Sequence, residues 1–334
     1  MSIGIAAAVF LACLITTLVS SEVLVRGLSV LGTKLSMTEG LLGLLMALGA
    51  NAPEITTAIA ALLAGAADLG RGVVLGSNLF NIAILLGLSA VLAGRVRMQR
   101  WGLLLDGAVA LFTLLVVAAL LLGLFTPLLA MVLLAVLLVP YVLLLGLDPG
   151  QVDHLPLSDA PGPRLSGAAS QVQGEHKHQQ EPARPWLPIL LVALSVLVIV
   201  LSSVGLVQAA LVLAQAWHLP QALVGGVILA ALTSLPNAYT AAHLALGGRG
   251  AAVVSATVNS NTINLVVGLA LPSLVLGMSG AARGVGVELG WLLGMTVIGL
   301  LLLLPAKGMS RVGGATLIAL YLLFVVVHLL WPTM

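Results

Sequence analysis

Uncharged apolar runs, each long enough to cross a bilayer, fill this chain almost end to end. A helix crosses the hydrocarbon core with about 20 apolar residues. On that criterion ten spans are expected, near residues 3-30, 36-64, 69-93, 102-123, 126-146, 186-214, 220-247, 250-277, 287-305 and 312-331. Charged residues make up only 7% of the 334 positions, where a soluble domain carries roughly 25%. The composition therefore dictates an all-α polytopic membrane protein. Basic residues are too sparse for the stripe that nucleic-acid binding needs, so no nucleic-acid partner is expected. The one cysteine, Cys13, lies inside an apolar run, which gives neither a disulfide framework nor a thiol metal cluster. No nucleophile with a nearby base and no phosphate-binding glycine loop is visible, so enzymatic catalysis is not expected. No basic residue precedes the first apolar run, which continues past Val19; it reads as a retained span rather than a cleaved signal.

The longest polar stretch, Asp148 to Arg184, is rich in Asp, Pro, Gly, Gln and His. That composition suits a hydrated linker. It divides the chain into an N-terminal five-helix repeat (1-147), a linker (148-185) and a C-terminal five-helix repeat (186-334). Short loops rich in Lys and Arg stay cytoplasmic. Arg26, Lys34, Arg95, Arg97, Arg100, Arg164, Lys177, Arg184, Arg249, Lys307 and Arg311 fall on one side of the expected spans, and Arg71 and Arg283 on the other. The linker is therefore expected in the cytoplasm and both termini outside, in a cell inner or plasma membrane.

Sliding the sequence along itself by 183 residues, without gaps, lays the second and third spans over the seventh and eighth. Between Gly43 and Asn81 ten positions then coincide: Gly43/Gly226, Ala47/Ala230, Pro53/Pro236, Thr57/Thr240, Ala58/Ala241, Leu63/Leu246, Gly65/Gly248, Ser77/Ser260, Asn78/Asn261 and Asn81/Asn264. Matches of Ala, Leu and Gly come cheaply in such a composition; a shared proline followed at the same distance by Ser-Asn-x-x-Asn does not. The copies lie five spans apart, an odd number, so they enter the membrane from opposite sides. Inverted repeats of this kind build secondary transporters, with substrate sites at the repeat interface near the midplane.

Pro53 and Glu54 sit deep within a segment of roughly 29 residues, about 43 Å of helix, and Pro236 and Asn237 occupy the matching depth in the other half. Proline has no amide hydrogen and clashes with the carbonyl four residues back, so the carbonyls of Gly49 and Leu232 lose their usual partners. An interrupted backbone survives in hydrocarbon only where it lines a protein cavity or water. One proline alone would read as a kink repaired by a nearby Ser or Thr. Two symmetric prolines flanked by Glu54 and Asn237 favour an ion site built partly from freed carbonyls. Ser77 and Asn81 are spaced i, i+4 and share a helix face, as do Ser260 and Asn264. Such pairs often only join helices, but all four beside a buried carboxylate favour ligation. Glu54 is the one acid placed near mid-bilayer, where an uncompensated charge costs several kcal/mol.

Other polar residues read as structural. Ser36 and Glu39 fit a capping box at the start of the second span, and Glu22 with Arg26 fits an i, i+4 ion pair. Asp106 and Glu288 lie near span ends, where carboxylates can face headgroups or a helix N-terminus. His243, six residues after Asn237, falls on a different helical face and reads as a packing histidine. Glu175, His176, Lys177 and His178 read as a solvated run rather than a chelating cluster.

On these residues the chain resembles the calcium/cation antiporter superfamily, which contains sodium/calcium and proton/calcium exchangers. Gly49-Ala50-Asn51-Ala52-Pro53-Glu54 with Gly76-Ser77-Asn78-Leu79-Phe80-Asn81 is similar to the first family motif, and Thr233-Ser234-Leu235-Pro236-Asn237 with Asn259-Ser260-Asn261-Thr262-Ile263-Asn264 to the second. The resemblance implies the sodium/calcium exchanger-like fold and alternating access, with spans one and six sliding against the rest. It adds Asn51, Thr233 and Ser234 to the cation-binding set, and makes Glu54, Asn81, Asn237 and Asn264 the candidate direct ligands. Sodium/calcium members carry an acid at the positions of both Glu54 and Asn237; here only the first is acidic. Asn264 stands where sodium-driven members often have Asp, and Ala50-Asn51 where many have Thr-Ser or Gly-Ser.

Calcium takes about 6 to 8 oxygens, a number these residues, loose carbonyls and water can supply. With one carboxylate, however, a divalent ion stays positive at low dielectric, while a monovalent ion or proton is neutralised. Two transport readings follow: a cation antiporter of the sodium/calcium exchanger type centred on Glu54, or a monovalent cation/proton exchanger. A passive channel or a non-transporting scaffold is the alternative from another class. Expected partners are inorganic cations, namely calcium, sodium or protons, and the lipid bilayer. No cofactor is expected, and no sequence feature sets an oligomeric state.

Overall fold

The structure, a computed structural model, describes residues 1–146, 186–277 and 285–330. The expected linker, with its Glu175 to His178 run, lies outside the described residues. Six helices precede the linker: α1 (Ile3–Lys34), α2 (Glu39–Ala50), α3 (Ala52–Leu63), α4 (Ala67–Ala93), α5 (Arg100–Leu121) and α6 (Pro127–Leu145). Six follow it: α7 (Leu187–Ala216), α8 (Gln221–Thr233), α9 (Leu235–Leu246), α10 (Gly250–Leu276), α11 (Val285–Leu303) and α12 (Arg311–Leu330). Eight of these are long and apolar enough to cross a membrane alone, and the bent pairs α2-α3 and α8-α9 bring the spans to ten. The chain is an integral membrane protein of two inverted five-span repeats. A short antiparallel pairing of β1 (Arg95–Val96) with β2 (Met309–Ser310) ties the loop after α4 to the loop before α12.

The helix breaks follow from the sequence. α2 and α3 meet at Asn51 with a 53° bend, and α8 and α9 meet at Ser234 with a 47° bend. Pro53 and Pro236 stand in the first turn of the second member of each pair, where a missing amide hydrogen costs nothing because that amide has no intrahelical acceptor. The N-cap of α2 corrects the expected capping box. Thr38, not Ser36, accepts from the Leu41 amide at 3.4 Å and donates to the Leu145 carbonyl at 2.8 Å, while Ser36 adopts a positive φ of 51° in the turn. The Glu22–Arg26 ion pair forms at 2.9 Å, as its spacing requires.

α4 lies at the centre, with 89% of its best apolar window buried, against 17% for α6, whose Leu128 and Val136 face outward. Apolar surface gains nothing by leaving lipid for protein, so membrane helices join through close backbone packing and polar contacts. Both are present. Gly72 and Gly76 of α4 lie against Gly225 and Gly226 of α8; a Cβ on Gly76 would run into the Gly226 carbonyl, and one on Gly72 would lie 2.8 Å from the Ala222 carbonyl oxygen. α1 packs along α7, and the hydroxyls of Thr17 and Ser202 bond across that contact at 2.7 Å.

α4 and α10 also share an irregularity. The helix widens to π geometry over Asn81–Leu88 and again over Val266–Ala270, starting at the last motif asparagine in α4 and two residues after it in α10. Single π turns inside α-helices concentrate at functional positions. Gly76→Ala should lower stability by about 2 kcal/mol or more, as overpacking typically does, while Gly43→Ala, at the repeat position matching Gly226 but with nothing within 4 Å of the added carbon, should be near neutral. Thermal unfolding of the two purified variants in detergent checks this; equal melting temperatures would contradict the backbone contact.

Candidate cation site

Glu54 opens α3 in its first turn and is completely buried. The bend at Asn51 aims that first turn into the protein, towards the matching bend of the inverted copy. Ser234 Oγ donates to Glu54 Oε1 at 2.9 Å and Asn237 Nδ2 donates to the same oxygen at 3.4 Å. Asn237 also donates to Asn51 Oδ1 at 3.2 Å, and Asn51 Nδ2 donates to the Ala47 carbonyl at 2.8 Å and to Ser260 Oγ at 3.1 Å. Five of the sequence-predicted residues, Asn51, Glu54, Ser234, Asn237 and Ser260, therefore form one hydrogen-bonded group across the two repeats.

A second group contains Ser77, Asn81 and Asn264, held by two asparagines absent from the predicted set. Asn78 Nδ2 donates to the Asn261 carbonyl at 3.1 Å, and Asn261 Nδ2 donates to the Asn78 carbonyl at 3.1 Å. These residues match each other in the repeat alignment, so the two bonds straddle the pseudo-twofold axis that relates the halves. Around them Asn81 Nδ2 donates to Asn261 Oδ1 at 3.0 Å, and Asn264 Nδ2 donates to Asn78 Oδ1 at 3.2 Å and to Ser77 Oγ at 3.3 Å. Asn78 and Asn261 coincide in the repeat alignment, but each follows Ser77 or Ser260 by one residue and so lies off the i, i+4 face those serines share with Asn81 and Asn264. The two groups adjoin through the consecutive residues Ser260 and Asn261.

Within these two groups three buried acceptors take no hydrogen bond: Glu54 Oε2, Asn81 Oδ1 and Asn264 Oδ1. In each case the same side chain's other polar atom is tied down by the opposite repeat, which fixes the free oxygen's direction. A buried acceptor left without a donor costs roughly 1–3 kcal/mol, and oxygen ligands of this type, one anionic and two amide, are those a hard cation takes.

The remaining predicted residues differ. The Gly49 carbonyl, expected to be freed by Pro53, is instead taken by Ser21 Oγ of α1 at 3.1 Å. This corrects the expectation of an open carbonyl: the proline's loss is repaired by a hydroxyl from another span, which a scan of the second span alone cannot reveal. Thr233 is buried but its hydroxyl donates back to the Leu229 carbonyl at 2.8 Å. Leu232, expected to contribute its backbone carbonyl, packs its side chain on the apolar core, which leaves that expectation about the carbonyl as it stood. His243 is exposed and stacks on Tyr239. Two further acids are enclosed by protein. Asp106 and Glu288 are 4% and 6% exposed, so neither faces headgroups; Glu288 stands in the first turn of α11, the helix N-terminus its position allowed, and lies 3.4 Å from His328 Nε2, while Asp106 is held by Tyr141 and Ser255. Both are shielded by helices whose packing their own spans do not encode.

Comparison with known proteins agrees with this architecture. The family described as sodium/calcium exchanger protein matches residues 5–147 and 187–330, which is nearly all of both halves. The chain belongs to that family. Among curated proteins, the putative antiporter CaxA of Alkalimonas amylolytica is 36% identical over 77 residues, and the sodium/calcium exchanger MaX1 of Methanosarcina acetivorans 35% over 74 residues. Those matches span 23% and 22% of this chain, and 24% and 21% of the relatives' own lengths. Among solved structures, the H+/Ca2+ exchanger CAX is similar with a TM-score of 0.74 at 16% identity, over 98% of this chain and 82% of that one. The sodium-calcium exchanger NCX_Mj gives 0.63 at 21%, over 97% and 99%. At such identities the likeness establishes the fold.

In this exchanger-family chain the asparagine pair on the axis should carry measurable stability. Asn261→Ala removes the partners of Asn81 Nδ2 and of the Asn78 carbonyl, and each buried group left unpaired costs roughly 1–3 kcal/mol. Denaturant unfolding in detergent should show a loss of that order, and an unchanged midpoint would contradict the reciprocal pairing.

Proposed function

We propose that this protein is a secondary active cation antiporter of the sodium/calcium exchanger type, working by alternating access around an ion site centred on Glu54. The observation that carries the reading is the free Oε2 of a fully buried carboxylate whose other oxygen is held by Ser234 and Asn237 of the inverted copy. An ionised carboxylate there needs a partner charge, and among the described residues no basic side chain pairs with it. The partner is the transported ion. Glu54 Oε2, Asn81 Oδ1 and Asn264 Oδ1 are the proposed leading ligands, with Asn237, Asn51, Ser77, Ser234 and Ser260 orienting them.

This charge balance produces exchange rather than leak. Leaving a carboxylate bare at mid-membrane costs roughly 3 kcal/mol or more, which makes the empty, ionised carrier about a hundredfold rarer than the loaded one at 1.36 kcal/mol per decade. The site therefore reorients carrying one cation or another. Expulsion of one substrate is tied to capture of the next. The paired bends at Asn51 and Ser234 place this event where both repeats reach it, and the long α1 and α7, side by side at the edge, are the elements proposed to slide. In the proposed orientation both termini lie outside and the 148-185 linker is cytoplasmic.

A second reading, monovalent cation/proton exchange, is favoured by Asn237, which sits at hydrogen-bond distance from Glu54 where a second carboxylate would raise the site's charge to match a divalent ion. Ion flux into proteoliposomes tests both. Glu54→Gln should abolish exchange of every cation the wild-type protein carries, and unimpaired flux in that variant would remove the mechanism. Calcium uptake driven by a sodium gradient would select the first reading; uptake of monovalent cations driven by a pH gradient alone would select the second.

A further inference from the structure

Beside the site the second repeat lacks two glycines of the first. Gly72 and Gly76 of α4, which bring α4 onto α8, correspond in the second half to Ser255 and Asn259 of α10. There the backbones are not in glycine contact, and the space is occupied by a polar ring. Ser255 Oγ donates to Asp106 Oδ2 at 3.3 Å, Asn259 Nδ2 donates to Ser255 Oγ at 3.1 Å, and the Tyr141 hydroxyl lies 3.3 Å from Asn259 Oδ1 and 3.2 Å from Asp106 Oδ1. Three spans, α5, α6 and α10, contribute to it.

Counting hydrogens shows what the ring lacks. It has four contacts. With Asp106 ionised it has three hydrogens to fill them, one each from the Tyr141 hydroxyl, the Ser255 hydroxyl and the Asn259 amide, because a carboxylate only accepts. The Tyr141 hydroxyl then faces two acceptor oxygens with a single hydrogen. Turning the Asn259 amide over swaps its oxygen and nitrogen between Tyr141 and Ser255 and leaves the total at three. A proton on Asp106 supplies the fourth. Every contact then runs one way round: Asp106 donates to Tyr141, Tyr141 to Asn259, Asn259 to Ser255, and Ser255 back to Asp106.

Among the described residues no basic side chain pairs with Asp106 in place of that proton. The helices packed against α5 are α6, α10 and α11. α6 and α10 contain no ionisable residue besides Tyr141, and α11 contains only Glu288, which faces His328. The other charged residue of α5 is Arg100, at its first position. Asp106 itself is 4% exposed, so water does not balance its charge.

We propose that Asp106, Tyr141, Ser255 and Asn259 form a proton-binding site, separate from the cation site at Glu54, that holds one proton on Asp106 in this conformation. The ring adjoins the cation site through the chain itself, since the residue after Asn259 is Ser260, which accepts from Asn51 at 3.1 Å. Loss of the proton opens the ring at Tyr141 and leaves an anion on α5 against the α10 segment that carries Ser260, Asn261 and Asn264. The site thus sets an ionisable group of the first repeat against the second, whose own motif, with Asn237 in place of an acid, lacks one.

Infrared spectroscopy of the full-length protein in lipid at neutral pH reads this without relying on transport. Glu54→Gln serves as the reference that removes the other site's carboxyl. Against that background Asp106→Asn should lose one carboxylic-acid carbonyl band, and loss of a carboxylate band instead would overturn the proposal. Tyr141→Phe, which keeps the carboxyl and serves if Asp106→Asn fails to fold, should shift or remove the same acid band because its acceptor is gone. An acid region unchanged by Tyr141→Phe would likewise overturn it.

Discussion

A carboxylate enclosed by protein at the meeting of two inverted helix breaks is the constraint around which the rest of this molecule is arranged. Water cannot solvate Glu54, and no basic residue among those described pairs with it. The surrounding amides and hydroxyls hold one oxygen and leave the other open. In a bilayer such an arrangement is tolerable only when a positive charge is supplied from outside. In the proposed mechanism that requirement turns a static cost into obligatory coupling, because the carrier is rarely populated with its charge bare.

The two halves are related by symmetry where geometry matters and depart from it where charge matters. Reciprocal bonds between Asn78 and Asn261 cross the axis, both breaks bend by similar amounts, 53° and 47°, and both central helices widen to π geometry at or just past their last motif asparagine. Two departures stand out, Glu54 against Asn237, and Gly72 and Gly76 against Ser255 and Asn259. The first removes a carboxylate from the second repeat. The second opens room there for the ring around Asp106. The glycine contact in one half and the polar ring in the other also make the two packing faces mechanically different, one a direct backbone contact and the other a set of side-chain bonds.

Much of the fold was legible because its signals are local. Apolar length gave the spans, the 183-residue offset gave the inversion, and Pro53 and Pro236 marked the breaks. Five predicted site residues proved to share one bonded group because the repeat motif itself encodes that interface. What stayed hidden depends on contacts between spans distant in sequence. Ser21 reaching the Gly49 carbonyl, Tyr141 reaching Asp106, and Thr38 rather than Ser36 capping α2 through its second bond to Leu145 are all of this kind. Asn78 and Asn261 are different. Their identity across the repeat was plain, and their role required knowing that the axis runs between them.

The position of a bound cation tests the account most directly. Anomalous scattering from crystals of the full-length protein soaked separately with rubidium and strontium would locate one. The account predicts a peak in contact with the Glu54 carboxylate, with amide oxygens of Asn81 and Asn264 on its other side. Cations found only elsewhere, with both Glu54 oxygens in contact with protein alone, would contradict it.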